Sequence, residues 1–181
     1  MGYEGIASRY YFKILSSLVE TDFKFEGRNR QPPKDPFNSM LSLGYTLLMY
    51  EIYGELENRG LNPYVGFLHQ DRERHPTLAS DMMEEWRPVL VDAVVLSLIQ
   101  GHEIGIGAFY YDEETGACFL KEIGMKVFFR KLEEKLHSEM KYLNYLSQRT
   151  SFRRAIWHQV GLLVKAIETK ETDEYIPLRI R

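Results

Sequence analysis

The stretch from Gly60 to Pro88 sets one histidine, His69, a dozen residues ahead of two spaced carboxylates, Asp81 and Glu84. His69 follows the apolar run Val65-Gly66-Phe67-Leu68, and Asp81 and Glu84 come shortly after it on a segment that reads as a helix. Residues three apart are neighbours on one helical face, so this spacing predicts two carboxylates pointing roughly the same way. One imidazole with clustered carboxylates is a ligand set for a hard or borderline divalent cation such as Mg²⁺ or Mn²⁺. The same residues also suit a blander role. Asp81 and Glu84 fit a solvated helix face, and a histidine on an apolar segment fits a hydrogen-bonded core residue. Spacing alone does not choose between these readings.

Helices must carry these groups. Periodic apolar residues predict a helix over about 5–23, then a loop Lys24–Asp35 broken by Gly27 and Pro32-Pro33 and carrying Lys24, Arg28, Arg30 and Lys34. A helix over about 37–58 is apolar on most sides, as a buried central helix is, and Gly60 is placed to stop it. Pro76 disfavours helix before it, so the next helix starts near Thr77. Pro88 then divides this helix from an apolar one over about 88–99, or kinks it. Asp112-Glu113-Glu114-Thr115-Gly116 between two aromatic-rich runs predicts a small hairpin near 109–120. Helices over about 121–146, with a break near Gly124, and 151–169 complete the chain, followed by a charged tail bearing Pro177. Glu85 and Arg87 read as ordinary helix surface, open to pairing with a neighbour. The fold class expected is mainly α with one small hairpin.

Composition narrows the function classes. The chain has 181 residues, 44% hydrophobic and 27% charged, which suits one domain with a substantial core. A net charge of −3 is not that of an autonomous DNA-coating protein, so nucleic-acid binding would have to come from local patches, a dimer or a partner. The single cysteine, Cys118, excludes an internal disulfide and is compatible with a reducing compartment. No apolar run approaches the ~18–20 residues that a membrane span requires.

Three motifs resemble one known family. Gly66-Phe67-Leu68-His69 followed by Ser80-Asp81-Met82-Met83-Glu84-Glu85-Trp86-Arg87-Pro88 resembles the core motif of the CRISPR-associated "Cas-one" proteins, the integrase nucleases of spacer acquisition. Gly2-Tyr3-Glu4-Gly5-Ile6-Ala7-Ser8-Arg9 resembles the G-x-E-G-x-x-x-R opening of that family's helical catalytic domain. Pro36–Tyr45 resembles the helix before the histidine. The matches cover roughly the first half of the chain. From about residue 105 onward only the helical character agrees.

The resemblance implies a metal site made by Glu4, His69 and Glu84, with Mg²⁺ or Mn²⁺ as cofactor and Glu4, His69, Asp81 and Glu84 as catalytic residues. Asp81 would bind directly, bind through water, or orient another ligand. Glu84 stands where many relatives carry aspartate, and either is a competent oxygen ligand. The implied chemistry is phosphoryl transfer: attack by a DNA 3′-hydroxyl gives integration, and attack by water gives cleavage. Implied partners are prespacer and CRISPR-repeat DNA, the small "Cas-two" protein, and a second copy of the full-length protein, in the cytoplasm. The family's N-terminal β domain is expected to be absent here. That leaves open a second reading, a binding or assembly module with little catalysis. For DNA contacts, residues 140–167 hold no acidic residue. They interleave Lys141, Arg149, Arg153, Arg154 and Lys165 with Tyr142, Tyr145, Phe152 and Trp157. Arg72 and Arg74, beside His69, are further phosphate candidates. The alternative for the longer segment is core aromatics beneath a solvated cationic face.

Overall fold

The structure is a computed structural model that describes residues 2–69, 75–141, 146 and 148–178, with the side chains of Glu4 and Met140 outside the description. It is mainly α-helical, as the sequence implies. Among the described residues, six α-helices, α1 (Tyr3–Ser17), α2 (Pro36–Asn58), α3 (Thr77–Met83), α4 (Ala93–Gln100), α5 (Glu122–His137) and α6 (Phe152–Thr169), accompany two small antiparallel sheets. The chain divides into two compact units, residues 1–44 with 91–132 and residues 45–90 with 133–181.

The first unit holds α1, the start of α2, α4, most of α5 and the expected hairpin. Its strands β1 (Phe109–Tyr111) and β2 (Cys118–Leu120) pair Phe109 with Leu120 and Tyr111 with Cys118. The first helix is shorter than its periodicity suggests. Val19, Phe23 and Phe25 are all buried, and the backbone must leave the helix after Ser17 to turn them inward. Ser16 fastens that turn, its hydroxyl donating to the Phe25 carbonyl at 2.6 Å, and Phe25 stacks on Phe37 of α2 at 4.2 Å. Tyr11 donates its hydroxyl to Asp92, which is buried in the turn Pro88–Asp92 before α4. Burial first, and the Asp92 carboxylate second, push the Tyr11 hydroxyl well above its usual range.

The cationic loop 24–35 is knitted to α2 rather than loose. Asp35 caps the helix, accepting from the Asn38 amide at 2.8 Å, with Pro36 at the first helical position, where proline's fixed φ suits a helix start. The buried Asn38 side chain donates to the Gly27 carbonyl at 3.0 Å and accepts from Arg28 at 2.9 Å.

The second unit holds the rest of α2, then α3, the end of α5, and α6. Gly60 closes α2 in the left-handed conformation, and the Leu61 amide donates back to the Leu56 carbonyl at 3.0 Å. The helical run breaks just ahead of Pro88 rather than at it: α3 stops at Met83, short of the expected Arg87, and a π-helical turn over Pro88–Asp92 leads into α4. The α5 helix runs unbroken through Gly124 but ends at His137, where the Ser138 hydroxyl takes up the Lys135 carbonyl at 2.7 Å. The chain then forms β3 (Glu139–Met140), which pairs with β4 (Thr150–Ser151), a sheet the sequence does not announce. The α6 helix buries Phe152, Ala155, Ile156, Gln159, Val160 and Leu163, a regular 3–4 spacing along one face. Trp86, fully buried, meets Phe152 edge-on at 6.4 Å.

Candidate metal centre

The residues 64–69 form a tight turn laid against α3, and α3 itself supplies the groups that hold it. Thr77 at the start of α3 donates its hydroxyl to the Tyr64 carbonyl at 2.7 Å and accepts from the Gly66 amide at 3.0 Å. Asp81, one turn on, does most of the rest. Its Oδ2 accepts from the amides of Phe67 at 2.6 Å and Leu68 at 2.9 Å. Its Oδ1 accepts from the His69 amide at 3.1 Å and lies 2.5 Å from His69 Nδ1. The Asp81 side chain is fully buried while that of His69 is 43% exposed. Burial would raise the Asp81 carboxyl, but the hydrogen bonds from the 67–69 turn outweigh it and hold the group below its usual range.

Gly66 is required by the same packing. A Cβ there would stand 2.7 Å from Asp81 Oδ2 and 2.8 Å from the Thr77 Cβ. Only glycine lets the turn approach α3 closely enough for Asp81 to collect its donors.

Asp81 and Glu84 therefore do not share one environment. Asp81 is enclosed and both its oxygens are occupied, whereas Glu84, just past the end of α3, is 37% exposed and paired with Arg87 at 2.6 Å. The Arg87 guanidinium also lies over the Tyr45 ring, 4.7 Å from its centroid. Glu85 departs from the surface role expected of it. It accepts from the Tyr175 hydroxyl at 2.5 Å and from the Leu178 amide at 2.6 Å, and Gln159 donates to both Glu85 and the Ile176 carbonyl. The acidic triplet region of α3 thus splits into a buried turn-holder, a half-exposed ion pair and an anchor for the tail. No sequence signal near Glu85 identifies the last role, because its partners lie far downstream.

With Nδ1 held by Asp81, the imidazole of His69 offers Nε2 as its remaining donor. This is the carboxylate–histidine arrangement that fixes a ligating histidine's tautomer and ring orientation. Together with the Glu84 carboxylate, the donor chemistry fits a borderline divalent cation. Among the described residues, no three His, Cys, Asp or Glu side chains gather closely enough to hold a metal by themselves. Glu4 lies in α1 with its side chain outside the described residues, so its ligand role stays with the resemblance.

The cationic candidates separate as sharply. Arg153 is committed within the second unit: it bonds Glu51 through Nε and Nη2 and Glu133 through Nη1 and Nη2, the latter at 3.0 Å. Those carboxylates raise the guanidinium further above its already high range and, in return, Arg153 holds Glu133 below the usual carboxylate range. Phe152 is core. Arg149 and Arg154 are exposed and Trp157 is 45% exposed. Arg72, Arg74, Tyr142 and Tyr145 lie outside the described residues. Among the described residues, no helix is long and apolar enough to cross a membrane.

The chain is similar to proteins of one family. A family model described as "CRISPR associated protein Cas1" matches residues 1–134. The CRISPR-associated endonuclease Cas1 of Mycobacterium tuberculosis (strain ATCC 25618 / H37Rv) is 39% identical over 179 residues, covering 99% of this chain and 53% of that protein. A casposase bound to integration product superposes with a TM-score of 0.84 at 26% identity, over 98% of this chain and 51% of that one. A Cas6-RT-Cas1–Cas2 complex superposes with a TM-score of 0.86 at 26% identity, over 98% of this chain and 19% of that one. The chain spans about half the length of the curated relatives it matches. The family match over most of its length, together with these relatives, shows that the chain belongs to the Cas1 family of CRISPR-associated proteins.

Proposed function

We propose that this chain is the helical catalytic part of a divalent-metal-dependent DNA integrase and endonuclease of CRISPR spacer acquisition. The observation that carries this reading is the Asp81–His69 contact. A buried carboxylate grips both the backbone and Nδ1 of His69 and leaves Nε2 as the donor on a half-exposed ring. On this reading His69 and Glu84 hold the ion, with Glu4 as the third ligand by family resemblance, and Asp81 positions His69 without binding the metal. A bound Mg²⁺ or Mn²⁺ supplies Lewis acidity at a phosphodiester and favours the deprotonated form of an attacking hydroxyl. Arg87 pairs with the Glu84 carboxylate at 2.6 Å and restrains its rotation, and a divalent cation would compete with it for the carboxylate oxygens. Arg149 and Arg154, both exposed, contribute to holding the DNA backbone, whereas Arg153 stays with Glu51 and Glu133.

The partners proposed are DNA, a small Cas2 protein and a second Cas1 chain, in the cytoplasm. The support is the likeness to solved structures named as a casposase on its integration product and as a Cas1–Cas2 complex. The test joins a labelled DNA 3′ end to a target duplex in Mn²⁺, with Cas2 present, and measures Mn²⁺ binding separately by calorimetry. His69→Ala and Glu84→Ala are each expected to abolish strand transfer and weaken Mn²⁺ binding while preserving helical circular dichroism. Strand transfer that survives both substitutions would sink the catalytic assignment. Mn²⁺ binding without strand transfer in the unaltered chain would favour the assembly-module reading.

A further inference from the structure

The chain carries a cationic surface that the metal site does not use. The exposed side of α6 presents Arg154, Trp157 and His158, opposite the face that buries Phe152, Ala155, Ile156 and Val160. Across it lies Arg59, from the last turn after α2. Its guanidinium sits 4.4 Å from the centre of the Trp157 ring and donates from Nη2 to the Trp157 carbonyl at 3.0 Å. The seat depends on Gly161, one turn further along α6. A Cβ at Gly161 would stand 3.2–3.3 Å from Nη1, Cζ and Nη2, so the guanidinium rests almost on the helix backbone. Trp157 in turn meets the His158 ring edge-on at 4.8 Å.

Two cations and an imidazole thus share one face, with Arg59 held there by an aromatic ring and a missing side chain, on a chain whose net charge is −3. The cation–π contact orients Arg59 and does not neutralise it. Burial first, then Arg154 and Arg59, depress the His158 imidazole below its usual range, so at neutral pH it supplies a neutral N–H or a lone pair rather than a third repelling charge. Residues 140–167 hold no carboxylate. Lys165, further along, is engaged by Glu174 at 2.7 Å and marks the end of the patch.

We propose that the α6 face formed by Arg154, Trp157 and His158, with Arg59 laid over Gly161, binds the phosphodiester backbone of a DNA strand. This rests on the reading of the chain as a DNA-processing protein and adds a positioning surface to it. Arg59 and Arg154 act as phosphate contacts, Trp157 and Gly161 fix the direction of Arg59, and His158 contributes an N–H. Fixed guanidinium groups favour a backbone track over an isolated anion, because each contacts one phosphate of a repeating series.

The full chain carries the test. Of its two tryptophans, Trp86 is fully buried and Trp157 is 45% exposed, so emission that responds to an oligonucleotide reports this face. The expected result is a DNA-induced change in emission that vanishes in Trp157→Phe. Arg154→Ala is expected to weaken DNA binding roughly tenfold and to lower the slope of log affinity against log salt by about 1, as loss of one phosphate contact does. Lys126→Ala, which removes one charge from α5, is expected to change affinity by less than about twofold, since it is an exposed lysine paired with the exposed Glu122 on its own helix. Gly161→Leu keeps every charge and improves helix propensity, so it separates geometry from charge. It is expected to weaken binding several-fold by evicting Arg59 from its seat. DNA binding with unmoved Trp157 emission and an unaltered salt slope in Arg154→Ala would overturn this face while leaving DNA binding intact. No DNA binding at all would overturn both. Inorganic phosphate that shifts the emission more readily than DNA, per phosphate, would replace the backbone track with a small-anion site and overturn the proposal.

Discussion

Replacing Asp81 by Asn changes almost no volume, yet it should release the turn that carries His69. Four donors converge on the two carboxylate oxygens: the amides of Phe67 and Leu68 on Oδ2, and the amide and Nδ1 of His69 on Oδ1. An asparagine has one acceptor oxygen, which can serve two of these donors. The other two then face an NH₂ group inside a fully buried site. Each buried donor left without a partner costs about 1–3 kcal/mol, so the substitution costs about 2–6 kcal/mol. A domain of this size has about 5–15 kcal/mol in total. The chain should therefore stay folded, and the turn should open locally instead. At about 1.4 kcal/mol per tenfold, the amides of Phe67, Leu68 and His69 should exchange with deuterium roughly 30-fold to 10⁴-fold faster, while α6 amides keep their protection. Mn²⁺ affinity should fall about 10–100-fold, the usual cost of removing a group that orients a ligating histidine. Amide protection over 67–69 that matches the unaltered chain would refute the claim that Asp81 holds this turn, whatever the effect on metal.

Three further perturbations follow from the same packing. Gly66→Ala should destabilise the turn by about 1–3 kcal/mol, since its Cβ would meet Asp81 and Thr77 below 3.0 Å, and faster exchange at residues 66–69 would report it. Arg153→Ala should lower stability by about 1–3 kcal/mol in chemical denaturation, because it strips Glu51 and Glu133 of their shared partner, yet leave DNA affinity nearly unchanged. A loss of DNA affinity as large as that of Arg154→Ala would contradict the separation drawn between these two neighbours. Glu85→Gln should loosen the segment 175–178 by about 1–3 kcal/mol, seen as early proteolytic trimming of the tail, because one of the two oxygens that now accept from Tyr175, Leu178 and Gln159 would become an NH₂.

Much of the architecture was legible from local chemistry. Pro36 after Asp35, Gly60 after the apolar run of α2, Pro76 before Thr77 and the Asp112–Gly116 turn each mark an element edge through a backbone property of the residue itself. The failures share a different cause. The first helix stops early because Val19, Phe23 and Phe25 bury together, and α5 stops at His137 because residues 139–140 pair with residues 150–151. Both depend on residues distant in sequence, which periodicity within a window does not contain. Arg153 illustrates the same limit at a site. Its position among Arg149 and Arg154 reads as part of one cationic stripe, but its partners come from α2 and α5.

The carboxylates of the motif carry the deeper lesson. Asp81, Glu84 and Glu85 lie within two turns' length of chain, and their spacing alone gives each an equal claim on a cation. What distinguishes them is which donors surround each one. Asp81 is enclosed by a turn that only Gly66 permits, and both its oxygens are filled. A fully satisfied carboxylate can hand nothing to a metal without unmaking bonds worth several kcal/mol, so its influence must pass through His69. Glu85 is equally occupied, by the tail and by Gln159. Of the three, Glu84 keeps a half-exposed carboxylate whose partner is the single side chain of Arg87 on the same stretch of chain, a charge that a divalent cation can outcompete. The assignment of Glu84 rather than Glu85 as a ligand, first suggested by family resemblance, thus has an independent physical reason: it is the acid whose present interactions cost least to exchange.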